Sequence, residues 1–335
     1  MLGVIFWMYG GYAWLTNSVV VDRLTRRLTL LGGMAGFLVV ALAVRGAFEG
    51  SGTAFGLAYL AVVLVHLGMF AVSSRLTVKQ AILGLAPFNL SSALLVVVGG
   101  ILGGTAQYVL WTAAFALAWL SPKLIDSSGF EIEPGHFVER HGLVVIVAIG
   151  ESIIAVGIGA AGLPVDAGLV AAAVLGLALS ACLWWSYFGS DEGVAEERME
   201  AAPMAARPRL AIHAFGCWHL PILLGIIAVA SALKETTAHP FEALGAANAL
   251  ALGGGVAILL VGEALFRGTL SMDAVRSRSV AAFLALATIP VGLELSAVAQ
   301  LTVVVMLLVG MLLCEQVRSA SEPPTRCEGL RRHQG

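Results

Sequence analysis

Eleven apolar stretches, each close to the length that carries a helix across a bilayer, fill most of this 335-residue chain. They run over roughly 2–21, 28–48, 53–73, 80–100, 103–120, 137–159, 164–187, 209–232, 243–266, 279–297 and 299–317. A hydrocarbon core about 30 Å thick takes about 20 helical residues to cross. Two pairs of stretches are fused. Residues 80–120 run almost unbroken, with Gly99, Gly100, Gly103 and Gly104 marking a turn, and 279–317 turn near Glu294 and Gln300. Only 12% of residues are charged against 59% hydrophobic. A soluble domain has about twice that charge, so the outside of this chain must face lipid. The fold class expected is all-α: a polytopic integral membrane helix bundle of about 11 transmembrane helices.

The placement of Lys and Arg tests that count, because basic residues collect in cytoplasmic loops. Seventeen of the 19 fall in loops after odd-numbered spans or in the C-terminal segment. Only Arg45 and Lys234 fall in the even loops. A miscounted span would scramble this parity. The C-terminus is therefore expected in the cytoplasm and Met1 outside, in a bacterial inner membrane. An N-terminus outside with no preceding basic residue is unusual, and one more helix upstream would make twelve spans.

Span 1, with Trp7 and Tyr9-Gly-Gly-Tyr-Ala-Trp14, and span 7, with Trp184-Trp-Ser-Tyr187, share composition and direction. That spacing fits a parallel six-plus-six repeat of the kind transport folds use. The expected organisation is one transmembrane domain over 1–318, with candidate halves 1–120 and 136–318, and a disordered cytoplasmic tail over 319–335. Met1 to Val21 lacks a basic n-region and reads as a span rather than a signal peptide. The net charge of −2 gives no sign of a nucleic-acid partner. Cys182, Cys217, Cys314 and Cys327 match no disulfide or zinc spacing. There is no phosphate loop, no dinucleotide fingerprint and no His-Glu-x-x-His, so an ATP-driven pump and a zincin are disfavoured. No cofactor or metal is expected.

Polar side chains inside a bilayer are costly, about 2.5–3.5 kcal/mol at the centre, and so they point to function. Glu151 lies in the middle of the apolar run from Gly142 to Ala161 and is the leading proton, ion or substrate candidate. His66 and His219 lie near the middle of spans 3 and 8 and could carry a proton. Pro221 is expected to kink span 8. His213, six residues before His219, falls about 240° away around an α-helix. At the start of span 6 stand His136, Glu139, Arg140 and His141, a cytoplasmic-entrance cluster; His136 and Glu139 share a face. Arg140 and Glu151 also share a face, roughly 16 Å apart along the axis. Glu263, Glu315 and Asp22, near cytoplasmic ends, and Glu294, near an outer turn, are expected to be solvated. Asn89 and Gln107 are expected to hydrogen-bond between helices. Gly253-Gly-Gly255 is expected to let helices pack closely.

The segment His136-Phe-Val-Glu-Arg-His-Gly-Leu-Val-Val-Ile-Val-Ala-Ile-Gly-Glu-Ser152, followed by Ile-Ile-Ala-Val-Gly157, resembles the most recognisable stretch of the bacterial low temperature requirement A proteins. Phe6-Trp-Met-Tyr-Gly-Gly-Tyr-Ala-Trp-Leu-Thr-Asn17 and Trp184-Trp185 resemble the same family. The resemblance covers nearly the whole chain. It implies a multipass bacterial membrane protein and no settled substrate or reaction. It also implies an extra first helix with a Phe-Asp-Leu-like segment, which this chain is expected to lack.

The function expected is a secondary transporter or permease, more in keeping with the residues than an enzyme. Glu151 would be its ion or proton site, helped by His66 and His219, with the lipid bilayer as partner and a small molecule or ion as substrate. The alternative is a membrane-embedded enzyme acting on lipids or lipid-linked groups through His136, Glu139 and His141, or a non-catalytic factor for growth in the cold.

Overall fold

The computed structural model describes residues 1–18, 23–71, 76–124, 132–189 and 191–321. Asp22 and residues 322–335 of the expected tail lie outside the described residues. Among the described residues there are fourteen α-helices, one π-helix and no strand. In chain order they are α1 (Leu2–Ser18), α2 (Leu24–Val44), α3 (Gly52–Ala71), α4 (Leu76–Leu102), α5 (Gly104–Leu124), α6 (Pro134–Ala160), α7 (Ala167–Phe188) and α8 (Asp191–Ala201). Then come α9 (Arg207–Ala211), the π-helix (Ile212–Cys217), α10 (His219–Ala238), α11 (Ala246–Thr269), α12 (Val275–Leu286), α13 (Ile289–Glu294) and α14 (Ala297–Ser321).

Each expected span contains a helix among the described residues. Nine segments among the described residues are long and apolar enough to cross a membrane. The other two expected spans are α1, with 17 described residues, and α5, which carries Gln107, Ser121, Pro122 and Lys123. Large apolar side chains stay exposed on these helices, for example Leu42, Val147 and Phe283. In water that would drive aggregation; against lipid tails it is the ordinary outer face of a membrane helix. The chain is a polytopic helical membrane protein.

The turn in the first fused pair falls at Gly103 and Gly104, whose φ angles are +66° and +53°. A side chain is disfavoured in that left-handed region by about 1–2 kcal/mol, so two glycines reverse the chain in almost no length. Gly99 and Gly100 are helical instead. In the second fused pair the break is double. α12 gives way to α13 at Ala287–Thr288, where Pro290 follows in the first turn, and 295–296 separate α13 from α14.

The chain forms two compact units. The first comprises Met1–His141 with Glu196–Leu220; the second comprises Gly142–Ala195 with Pro221–Gly335. In the first unit, α2, α3, α4 and α5 pack side by side around Val40, Phe55, Tyr59, Val62, Val96 and Ala114. Hydrogen bonds between segments lock this core, since a polar group facing hydrocarbon needs a partner. Asn89 accepts from Trp7 Nε1 at 2.9 Å, joining α4 to α1. Gln107 donates to the Ala47 carbonyl at 2.7 Å, and Ser92 to that of Ala114 at 3.0 Å.

In the second unit α11 is the most enclosed helix, with 72% of its spanning window buried. Its glycine run works on two faces. A Cβ on Gly253 would fall 2.8 Å from the Ala285 carbonyl of α12, and one on Gly255 would fall 2.9 Å from the Gly225 carbonyl of α10. α7 begins with Asp166, which caps the helix by accepting from the Leu169 N–H at 2.8 Å.

Candidate functional site

The first unit contains a cavity of about 100 Å³. Its walls follow from helical spacing. On α1, Trp7, Gly10, Gly11 and Trp14 share one face, at intervals of three, four and seven residues. Two indoles therefore flank a stretch with no side chains, and the hollow lies between them. α3 contributes His66 and Phe70, one turn apart; α4 contributes Ile82, Leu85 and Asn89. α5 adds Trp119 and Pro122, and the first two turns of α6 add Phe137 and His141. The remaining wall is the π-helix, through Ile212, Gly216 and Cys217.

That π-helix replaces the simple kink expected at Pro221. Proline has no N–H to donate to the carbonyl four residues earlier, which belongs to Cys217, and its ring crowds that carbonyl. The helix loosens just before this point, into bonds spanning five residues such as Trp218 N–H to the His213 carbonyl at 3.2 Å. π turns of this kind recur at functional sites.

His66 is 2% exposed. Among the described residues neither of its ring nitrogens has a hydrogen-bond partner. The Gly11 backbone lies close to the ring but does not reach hydrogen-bond geometry with it. The ring packs tilted against Tyr12, 5.6 Å between centroids, and edge-on to Phe70 at 5.0 Å. His141 is also buried; its Nδ1 donates to the Phe137 carbonyl one turn earlier, at 2.9 Å. His219 is buried beside it, with ring centroids 5.4 Å apart, and donates through Nδ1 to the Ala214 carbonyl at 3.1 Å. His213 is only partly buried and donates through Nδ1 to the Arg209 carbonyl at 2.8 Å.

The structure thus divides the expected candidates. His66 and His141 line the cavity, and His219 stands behind His141. The other members of the entrance cluster point elsewhere. His136 is partly exposed, with Nδ1 3.5 Å from the Asn17 amide nitrogen, and Glu139 is exposed. Arg140 takes part through its carbonyl, which accepts from the Tyr9 hydroxyl at 2.5 Å. The start of α6 is held by Asn17, whose amide group exchanges two hydrogen bonds with the Glu133 backbone, at 3.2 and 3.1 Å. Among the described residues no group of three or more His, Cys, Asp or Glu side chains is placed to hold a metal ion. Glu151 belongs to the second unit, where it is exposed on α6. Its neighbour Ser152 is fully buried, and among the described residues its hydroxyl has no partner.

The second unit corrects one expectation outright. Glu263 is 1% exposed and Glu315 mostly buried rather than solvated, and Arg267 and Arg278 are buried with them. Arg267 forks onto Asp191, with Nε to Oδ2 at 2.7 Å and Nη2 to Oδ1, the bidentate geometry that suits guanidinium best. Arg278 bonds Glu263 through Nη1 and reaches the Ser186 carbonyl at 2.8 Å and Glu315 at 3.2 Å through Nη2. Ser186 donates to Glu263 and Ser277 to Glu315, both at 2.7 Å. One network therefore ties together the ends of α7, α8, α11, α12 and α14. Its sequence signal is Glu263 and Arg267 one turn apart near the end of a span, which places both on the same helix face.

These features define a multipass helical membrane protein with an aromatic-walled cavity in its first unit. The chain belongs to the family described as bacterial low temperature requirement A protein (LtrA), whose family model matches residues 1–313. It is also similar to the uncharacterized protein RA0937 of Rhizobium meliloti (strain 1021), at 28% identity over 289 residues, covering 82% of this chain and 68% of that protein. No solved structure matches the chain.

Proposed function

We propose that the protein is a secondary transporter or permease for a small solute, with the cavity of the first unit as its solute site. The cavity carries this reading. Three of its walls, α3, α4 and α6, come from segments long and apolar enough to cross a membrane, and it holds His66, whose ring nitrogens are unpaired among the described residues. Glu151 is the ion- or proton-carrying carboxylate, as an intramembrane carboxylate is by default a functional candidate. His141 and His219 act with His66 on the cavity side. The basic odd-numbered loops and the C-terminal segment face the cytoplasm of a bacterial inner membrane, and 1–120 and 136–318 are repeat halves.

The test uses the full chain in liposomes loaded with a pH-reporting dye. A panel of amines, amino acids, sugars and alcohols is added under an imposed potassium diffusion potential. The expected result is solute-dependent proton movement, lost in Glu151→Gln. Solute-coupled flux that is the same in Glu151→Gln and wild type would remove Glu151 from the mechanism. A deletion strain with altered lipid species and no transport defect would favour an enzyme acting on lipids.

A further inference from the structure

If the cavity is the solute site proposed above, its size and lining restrict what the solute can be. A volume of about 100 Å³ lies below the ~150 Å³ of an apolar cavity that admits benzene and holds about three waters at ~30 Å³ each. It has room for a molecule of about four to six heavy atoms. Three indoles and three phenyl rings line it, and among the described residues no Asp, Glu, Lys or Arg does. A charged solute would leave its hydration shell and find no counter-charge. Aromatic faces return about 2 kcal/mol to a desolvated cation, well short of what removing an isolated charge from water demands. The lining selects a neutral molecule.

The polar groups select further. Asn89 Oδ1 accepts from Trp7, and His141 Nδ1 donates to Phe137. His66 is different: it is 2% exposed, lines the cavity and has both ring nitrogens enclosed and unpaired among the described residues. A neutral imidazole offers one donor and one acceptor, so a hydroxyl, which can do either, satisfies it in either tautomer. Gly11 puts no side chain against the ring, where a Cβ would stand 2.9 Å from His66 Nε2. We infer that the cavity binds a small, neutral, largely apolar alcohol whose hydroxyl hydrogen-bonds the His66 imidazole while its hydrocarbon part packs among Trp7, Trp14 and Trp119.

The experiment is equilibrium binding to the full chain in nanodiscs, read by tryptophan fluorescence, with empty nanodiscs as the partition control. Cyclobutanol is the alcohol, cyclobutane its apolar counterpart and tetramethylammonium the cation of similar size. The expected result is saturable binding of cyclobutanol, about tenfold tighter than cyclobutane, with no saturable binding of the cation. His66→Leu brings cyclobutanol down to the affinity of cyclobutane. Gly10→Val, at a lining position where a Cβ meets nothing within 4 Å, fills the space and abolishes binding of both while the melting temperature holds. The inference is overturned by absence of saturable binding in a folded wild type, by equal affinity for the two ring compounds, by a preference that survives His66→Leu, or by tighter binding of the cation. Binding that follows the expected pattern without any flux in liposomes would keep the ligand class and sink the transporter reading. Flux of a charged solute without alcohol binding would do the reverse.

Discussion

Replacing Arg278 with alanine leaves Glu263 buried with its strongest partner gone. Arg278 and Glu263 are each 1% exposed and directly bonded, and the network holds three carboxylates against two guanidinium groups. Breaking a buried pair from one side typically costs about 3–5 kcal/mol, because an uncompensated charge is left inside. Two local features decide where in that range the loss falls. Glu263 keeps the Ser186 hydroxyl at 2.7 Å, a bond to a charged acceptor worth about 1.5–3 kcal/mol. Asp191 keeps its two-pronged contact with Arg267, so the loss does not spread to that pair. The expected destabilisation is about 3 kcal/mol, a shift of roughly a hundredfold in the folded-to-unfolded ratio. The assay is reversible unfolding in mixed micelles with rising SDS fraction, followed by tryptophan fluorescence. Arg278→Met combined with Glu263→Leu removes both charges and should recover most of the loss, since replacing a buried pair with apolar groups is often neutral or stabilising. The reasoning fails if Arg278→Ala lies within about 0.5 kcal/mol of wild type, the range of ordinary surface substitutions, or if the double variant is only as stable as the sum of the singles.

Four further outcomes are expected. Gly255→Val drives a side chain into the Gly225 carbonyl and should cost about 1–3 kcal/mol by overpacking, measured in the same titration; an unchanged midpoint would mean that α10 and α11 do not pack this closely. Gly103→Ala places a Cβ at φ +66° and should lower stability by about 1 kcal/mol, while Gly99→Ala acts instead by crowding Trp111. Asn89→Leu strips the acceptor from Trp7 Nε1 and should cost about 0.6–2 kcal/mol, with a shift in tryptophan emission as the direct readout. Asn17→Ala removes both bonds to the Glu133 backbone and should speed amide exchange in the first turn of α6 while sparing α11.

The helices were legible because lipid makes the pattern simple: about twenty apolar residues in a row have few alternatives to a helix. Asn89 was legible for the same reason, as an amide in hydrocarbon requires a partner on another helix; Gln107 was legible as bonded, though its partner Ala47 lies in the turn after α2. The cavity was not. Trp7, Gly10, Gly11 and Trp14 show a common face, but the gap they leave becomes a cavity only when α3, α4, α5, α6 and the π-helix close around it. Those contacts join residues up to about 200 positions apart. The buried ionic network was missed for a different reason. A charge at the end of an apolar run reads as interfacial, and only the packing of α11, α12 and α14 shows that Glu263 and Arg278 meet inside. Single residues carry too little information to separate a charge that faces water from one that faces another charge.

The π-helix before His219 carries a residue that an α-helix of the same length would not. A backbone bonded five residues apart accommodates one more residue per turn than its neighbours. If Ile212–Cys217 were to re-form as α-helix, the surplus residue would have to move to one end. Everything on that side would turn by about 100° and advance by about 1.5 Å. Gly216 and Cys217 would leave the cavity wall, or His219 would swing away from His141. The segment therefore acts as slack held in a rigid rod.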